Sequence, residues 1–108
     1  MKATELGDFE ELVLMTICIL GSDAYAVSVK MELEQRLGKK INISAIHTAL
    51  YRLEDKGFLN SEIGGATNER GGRRKRFFTP TAAGKSALNR LKMVRENIYR
   101  LIPDLSNG

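Results

Sequence analysis

A chain of 108 residues with 43% hydrophobic side chains is long enough for one domain with a modest core and too short for two. Its lone cysteine, Cys18, and lone histidine, His47, exclude a disulfide framework, a thiolate zinc site and a histidine metal cluster within one chain. The net charge of +4, with carboxylates plentiful in the first half, places a local basic surface on a globular body. The longest apolar run, Leu12 to Leu20, is interrupted by Thr16 and falls far short of the ~20 residues of a membrane span. The N-terminus lacks a basic and then apolar leader pattern, so a cytoplasmic protein without membrane attachment is expected.

Asp8 and Glu11 have the spacing of a capping box, which predicts a helix over 8–20 closed by Gly21. Its apolar residues, among them Leu12, Met15 and Ile19, occupy nearly the whole circumference, so both faces should be covered, one by core and one by a second copy of the chain. Ser22 and Asp23 are placed to cap a second helix, in which Tyr25, Val29, Leu33 and Leu37 recur at helical spacing before Gly38. After a connection over 39–43 with room for a stub of strand, a third helix is expected over 44–56, begun by Ser44 and ended by Gly57. It is two-faced: Ile43, Ile46, Ala49, Leu50 and Leu53 gather on one side, while Ser44, Thr48, Tyr51 and Asp55 centre on the other, flanked by His47 and Arg52.

Strands are predicted over 58–63 and 73–79, joined by a loop that holds Gly64, Gly65, Gly71 and Gly72. Pro80 stops the second strand and Thr81 caps a last helix that reaches about Ile102. Along it, Ala87, Leu91, Val94, Ile98 and Leu101 follow the spacing of helices that pair over several turns, which predicts a dimer seam together with Leu12, Met15 and Ile19, the alternative being a stripe that covers its own domain. Three helices, a hairpin and a fourth helix give a mainly α fold with a small β-hairpin, a winged helix-turn-helix. Residues 1–80 form the winged part and 81–108 the C-terminal dimerisation helix and tail, in one structural unit. In such a fold the third helix meets the DNA major groove and the hairpin is the wing. The run Arg73-Arg74-Lys75-Arg76 falls on the wing, where adjacent like charges want a polyanion.

Five segments carry a resemblance: Leu6-Gly7-Asp8-Phe9-Glu10-Glu11-Leu12-Val13-Leu14, Asp23-Ala24-Tyr25-Ala26-Val27, Leu50-Tyr51-Arg52-Leu53-Glu54-Asp55-Lys56-Gly57, Arg70-Gly71-Gly72-Arg73-Arg74-Lys75-Arg76 and Thr79-Pro80-Thr81-Ala82-Ala83-Gly84. In this order they resemble the PadR family of bacterial transcriptional regulators, in its smaller form with one C-terminal helix. The resemblance implies a homodimer that represses transcription at a roughly palindromic operator in double-stranded DNA. Members of that family often bind a small aromatic or hydrophobic effector near the dimer interface, although no residue here identifies such a ligand; no cofactor is expected.

Read residue by residue, the hydroxyls of Ser44, Thr48 and Tyr51 suit phosphates or base edges, Arg52 suits a phosphate or a guanine, and His47 suits a polar contact rather than a metal. Asp55 would be repelled by phosphate, so only the first turns of the helix should enter the groove. Ser44 doubles as a candidate N-cap. In the wing, Arg70, Arg73, Arg74 and Lys75 are the candidate backbone cations, with Arg76 set apart as a partner for Glu54 or Glu62. One of Phe77 and Phe78 should pack beneath the helices, since strand neighbours alternate in direction. No catalytic arrangement or nucleotide-binding loop has a defensible spacing, so no enzyme is expected. The competing readings are an RNA-binding winged helix and a protein-interaction module.

Overall fold

The computed structural model describes residues 5–64 and 74–103. In chain order they form α1 (Asp8–Leu20), a single 3₁₀ turn (Gly21–Asp23), α2 (Ala26–Leu37), α3 (Ile43–Asp55), β1 (Leu59–Ile63), β2 (Arg76–Pro80) and α4 (Ala82–Arg100). This is the expected winged helix-turn-helix. Val13, Leu14 and Ile17 of α1, Val29 and Leu33 of α2, and Ile46, Ala49, Leu50 and Leu53 of α3 form one buried cluster. Phe58, Leu59 and Phe78 close it from the wing and Ala87 from α4. Phe78 is the buried aromatic of its pair, as alternation requires.

α1 spans the expected 8–20, but the first three helices are capped by different residues from those expected. In α1 the reach-back comes from Glu10, whose Oε1 accepts the Gly7 amide at 2.8 Å. Glu11 points elsewhere, accepting from Arg95 of α4 at 2.8 Å. Ser22 and Asp23 are used up in the 3₁₀ turn, so α2 starts later. There the Ser28 hydroxyl oxygen accepts the amide of Tyr25, the N-cap residue, at 2.9 Å. For α3 the cap is Asn42, not Ser44: the Asn42 Oδ1 accepts both the Ser44 amide at 2.9 Å and the Ser44 hydroxyl at 2.8 Å. A short amide side chain one step before the helix satisfies an N-terminal donor better than a serine already inside the first turn. No strand forms over 39–42.

β1 and β2 pair antiparallel from Leu59 opposite Pro80 to Ile63 opposite Arg76. Phe58 precedes the first strand and turns on a bond from its amide to the Leu53 carbonyl at 2.9 Å. The Phe78 amide donates to the Ala24 carbonyl at 2.9 Å, which fastens the wing to the segment ahead of α2. Thr81 caps α4 as expected, accepting the Gly84 amide at 3.0 Å. It also donates from its hydroxyl to the Gly57 carbonyl at 2.7 Å and from its amide to the Phe58 carbonyl at 3.0 Å. Only Gly84 and Ala87 of α4 are buried; Leu88 and Leu91 are partly covered and the later turns are exposed, and the molecule measures 57 Å in its longest dimension against 22 Å in its shortest. Among the described residues no helix is long and apolar enough to cross a membrane.

Candidate nucleic-acid interface

The outward side of α3 follows from what its inward side buries. With Ile46, Ala49, Leu50 and Leu53 fixed in the core, helical geometry leaves Ser44, His47, Thr48, Tyr51 and Arg52 exposed on the opposite flank. Tyr51 is 73% exposed, a large aromatic that none of the described residues covers.

Both ends of α3 are tied down. Ahead of it, Gly38 ends α2 in the left-handed conformation, φ 69°, and the Glu34 carboxylate accepts the Ile41 amide at 2.8 Å and the Lys30 ammonium at 2.9 Å. The Ile41 amide and the Lys30 ammonium hold Glu34 below the usual carboxylate range. One carboxylate thus sets the turn between the two helices. Behind α3, the Lys56 ammonium donates to Glu10 Oε1 at 2.6 Å and to the Glu5 carbonyl at 2.7 Å. The two side chains are only 8% and 13% exposed. Burial pushes the Glu10 carboxyl upward, but the Gly7 amide, the Lys56 bond and charge, and the charge of Arg52 outweigh it and hold the group below its ordinary value. Arg52 therefore stands within electrostatic reach of a carboxylate at the foot of α1.

The wing's base is equally specific. Phe77 meets the Tyr25 ring edge-on with centroids 5.6 Å apart, and the Lys75 ammonium lies 4.2 Å from the centre of the same ring. Arg76 takes neither carboxylate directly: its Nη1 donates to the Ser61 hydroxyl oxygen at 2.9 Å, and that hydroxyl donates to Glu54 Oε2 at 2.6 Å. A concavity of about 740 Å³ opens between α3 and β2, bordered by His47, Thr48, Tyr51 and Arg52 on one side and Arg76 on the other. Arg74 is exposed at the wing's root. Arg70 and Arg73 lie outside the described residues, as do Gly65, Gly71, Gly72 and the tail after 103.

The expected seam residues are divided. Ala87 is buried in the domain's own core, and Leu12 and Leu91 are partly covered. Met15, Ile19, Val94, Ile98 and Leu101 remain exposed, at 38%, 60%, 52%, 56% and 83%. A groove of about 650 Å³ runs between α1 and α4, with Leu12, Met15 and Leu88 along it. Among the described residues no group of histidine, cysteine or acidic side chains is placed to hold a metal.

Sequence reading missed three contributors: the Glu10 to Lys56 pair, the Glu34 clasp and the seat of Gly84. The first joins positions 46 apart, and periodicity carries no signal for such a contact. Glu34 reads on the sequence as one more charge on a solvated helix face. Gly84 left a trace, as a glycine inside a strong helical pattern.

A helix-turn-helix whose second helix displays hydroxyl, imidazole and guanidinium groups beside a basic hairpin defines a winged-helix DNA-binding protein. The family model described as the transcriptional regulator PadR-like family matches residues 14–90, and the chain belongs to that family. It is a family of transcriptional regulators rather than of enzymes. Among solved structures, the fold is similar to that of a PadR-like transcription factor from Bacteroides fragilis, 18% identical, with 85% of this chain and 84% of the other covered at a TM-score of 0.70. A PadR-like transcriptional regulator from Bacillus cereus is 17% identical, with coverages of 93% and 92% and a TM-score of 0.69. A PadR family regulator from Clostridium difficile is 23% identical, with coverages of 83% and 92% and a TM-score of 0.64. No curated protein matches the chain.

Proposed function

We propose that the protein is a homodimeric repressor that recognises a roughly palindromic operator, with α3 of each protomer in a major groove and the wing on the adjoining backbone. The observation that carries this is the exposed set Ser44, His47, Thr48, Tyr51 and Arg52 on a helix pinned at both ends. Specific contact needs a rigid reading surface, because every side chain ordered on binding costs affinity. Thr48, Tyr51 and Arg52 serve base edges and phosphates, His47 a polar contact at the groove's rim, and Ser44 the entry of the helix, its hydroxyl already oriented by Asn42. Arg70, Arg73 and Arg74 hold the backbone. Lys75 joins them only to the extent that its charge leaves Tyr25.

Dimerisation uses Met15 and Ile19 of α1 and Leu91, Val94, Ile98 and Leu101 of α4, with Leu12 in the groove between the helices and Ala87 anchoring α4 to its own domain. Exposed apolar side chains at this density on one projecting helix favour burial against a second copy. A small hydrophobic effector would act at the groove between α1 and α4, where it could alter the spacing of the two α3 helices.

Selection of binding duplexes from a random pool, followed by sizing of the complex, tests the proposal. Two protomers on a two-fold symmetric sequence with half-sites about one DNA turn apart, ~34 Å, is the expected result. Enrichment of asymmetric sequences bound by one protomer overturns the dimer. Retention of single-stranded RNA or of acidic protein in place of any duplex overturns the DNA reading.

A further inference from the structure

The described cations of the wing's return strand divide by face. Lys75 and Phe77 share one side and both meet Tyr25, with the ammonium 4.2 Å from the ring centre and the phenyl edge at 5.6 Å. Arg76 and Phe78 share the other. Phe78 is buried there, and Arg76 is exposed at the edge of the concavity that α3 borders.

The way Arg76 is held matters more than its position. A direct bidentate pair with Glu54 would consume the planar fork of the guanidinium. Instead the Ser61 hydroxyl stands between them, accepting from Nη1 at 2.9 Å and donating to the Glu54 carboxylate at 2.6 Å. A guanidinium carries five N–H donors, so this single bond orients the group without spending it. The same hydroxyl occupies Glu54 Oε2.

We propose that Arg76 grips the sugar–phosphate strand that passes between α3 and the wing, that Ser61 and Glu54 are the positioning pair that aims it, and that Lys75 is spent on Tyr25 and makes no phosphate contact. This rests on the reading that the face binds duplex DNA. It moves the backbone-binding role along the return strand, from Lys75 to the cation set apart on the sequence as a candidate partner for Glu54 or Glu62.

The test is the dependence of binding on salt, measured for the full chain with a random-sequence duplex by fluorescence anisotropy. The slope of log K against log salt reports the number of neutralised phosphates, about 0.9 for each. Arg76→Gln should make that slope shallower by about 0.9, while Lys75→Gln leaves it unchanged. Arg76→Lys should keep the slope but bind several-fold more weakly, for want of the fork. Ser61→Ala should do the same, because the guanidinium is charged but no longer aimed. A wild-type slope in Arg76→Gln overturns the proposal, as does a slope lost in Lys75→Gln. Should Arg76→Gln fail to fold, wild-type affinity in Arg76→Lys overturns it. A flat slope in the wild-type protein overturns this proposal together with the DNA reading beneath it, so the two failures are distinguishable.

Discussion

Glu10 shows how much a single side chain can hold. Its carboxylate accepts from the Gly7 amide and the Lys56 ammonium, and so joins the start of α1 to the end of α3. Removing one partner from a buried pair typically costs about 3–5 kcal/mol. Because Lys56 keeps 13% of its side chain exposed, Glu10→Gln is expected to lose somewhat less, about 2–3 kcal/mol at neutral pH. The pH dependence has a definite sign. A carboxyl whose folded value lies below its ordinary 4.5 contributes stability that is present above that pH and lost as the pH falls through the folded value. Denaturant titrations at pH 7, 5 and 3 should show the wild type weakening on acidification and Glu10→Gln weakening less; parallel pH profiles for the two would contradict the account. Nothing in the local sequence announced this pair. The Asp8 to Glu11 spacing pointed at the right helix start and the wrong carboxylate, because what selects Glu10 is the distant Lys56.

At the scale of elements, the seat of α4 on the wing depends on the absence of a side chain. A Cβ on Gly84 would come within 2.3 Å of the Phe58 carbonyl oxygen, an atom fixed by its bond from the Thr81 amide. In an ordinary helix, glycine to alanine gains about 1 kcal/mol. Here the clash is with backbone that cannot yield, so Gly84→Ala is expected to destabilise by about 1–3 kcal/mol. Urea unfolding checks this, and a neutral or stabilised variant would show that α4 is free to shift. The elements themselves were largely legible. The ends of α1 and α2 at Gly21 and Gly38, the two-faced α3, the hairpin and the Thr81 cap can all be read from punctuation and period. The cap of α2 could not, since Ser28 reaches back over three residues to serve Tyr25 in place of Ser22 and Asp23, which precede it. The capping of α3 by Asn42 was equally hidden, as either residue is a good N-cap by type. The Glu34 clasp on Ile41, which sets how α3 leaves the turn, is a tertiary contact that no helical pattern encodes.

For the molecule as a whole, the proposed division of labour between helix and wing rests on where each kind of side chain sits. The candidate reading groups are on a helix held by Glu34 at one end and by Lys56 at the other, whereas the candidate backbone cations are on a hairpin whose described part leans on Tyr25 and Ser61. The candidate face of α3 was legible because its polar residues interrupt a clear apolar stripe. The roles within the basic run were not, because adjacent cations look alike until the pairing of β2 and the Tyr25 ring separate Arg76 from Lys75. The central claim is that α3 chooses the site while the wing holds any duplex. The ratio of affinity for a selected duplex to affinity for a random one, measured at one salt concentration, tests it most directly. Tyr51→Ala or Arg52→Ala is expected to lower this ratio by about 5- to 150-fold, the equivalent of ~1–3 kcal/mol of base discrimination, whereas Arg73→Ala with Arg74→Ala should weaken both affinities alike and leave the ratio unchanged. A ratio that survives the loss of Tyr51 and Arg52 but collapses with Arg73 and Arg74 would contradict the central claim.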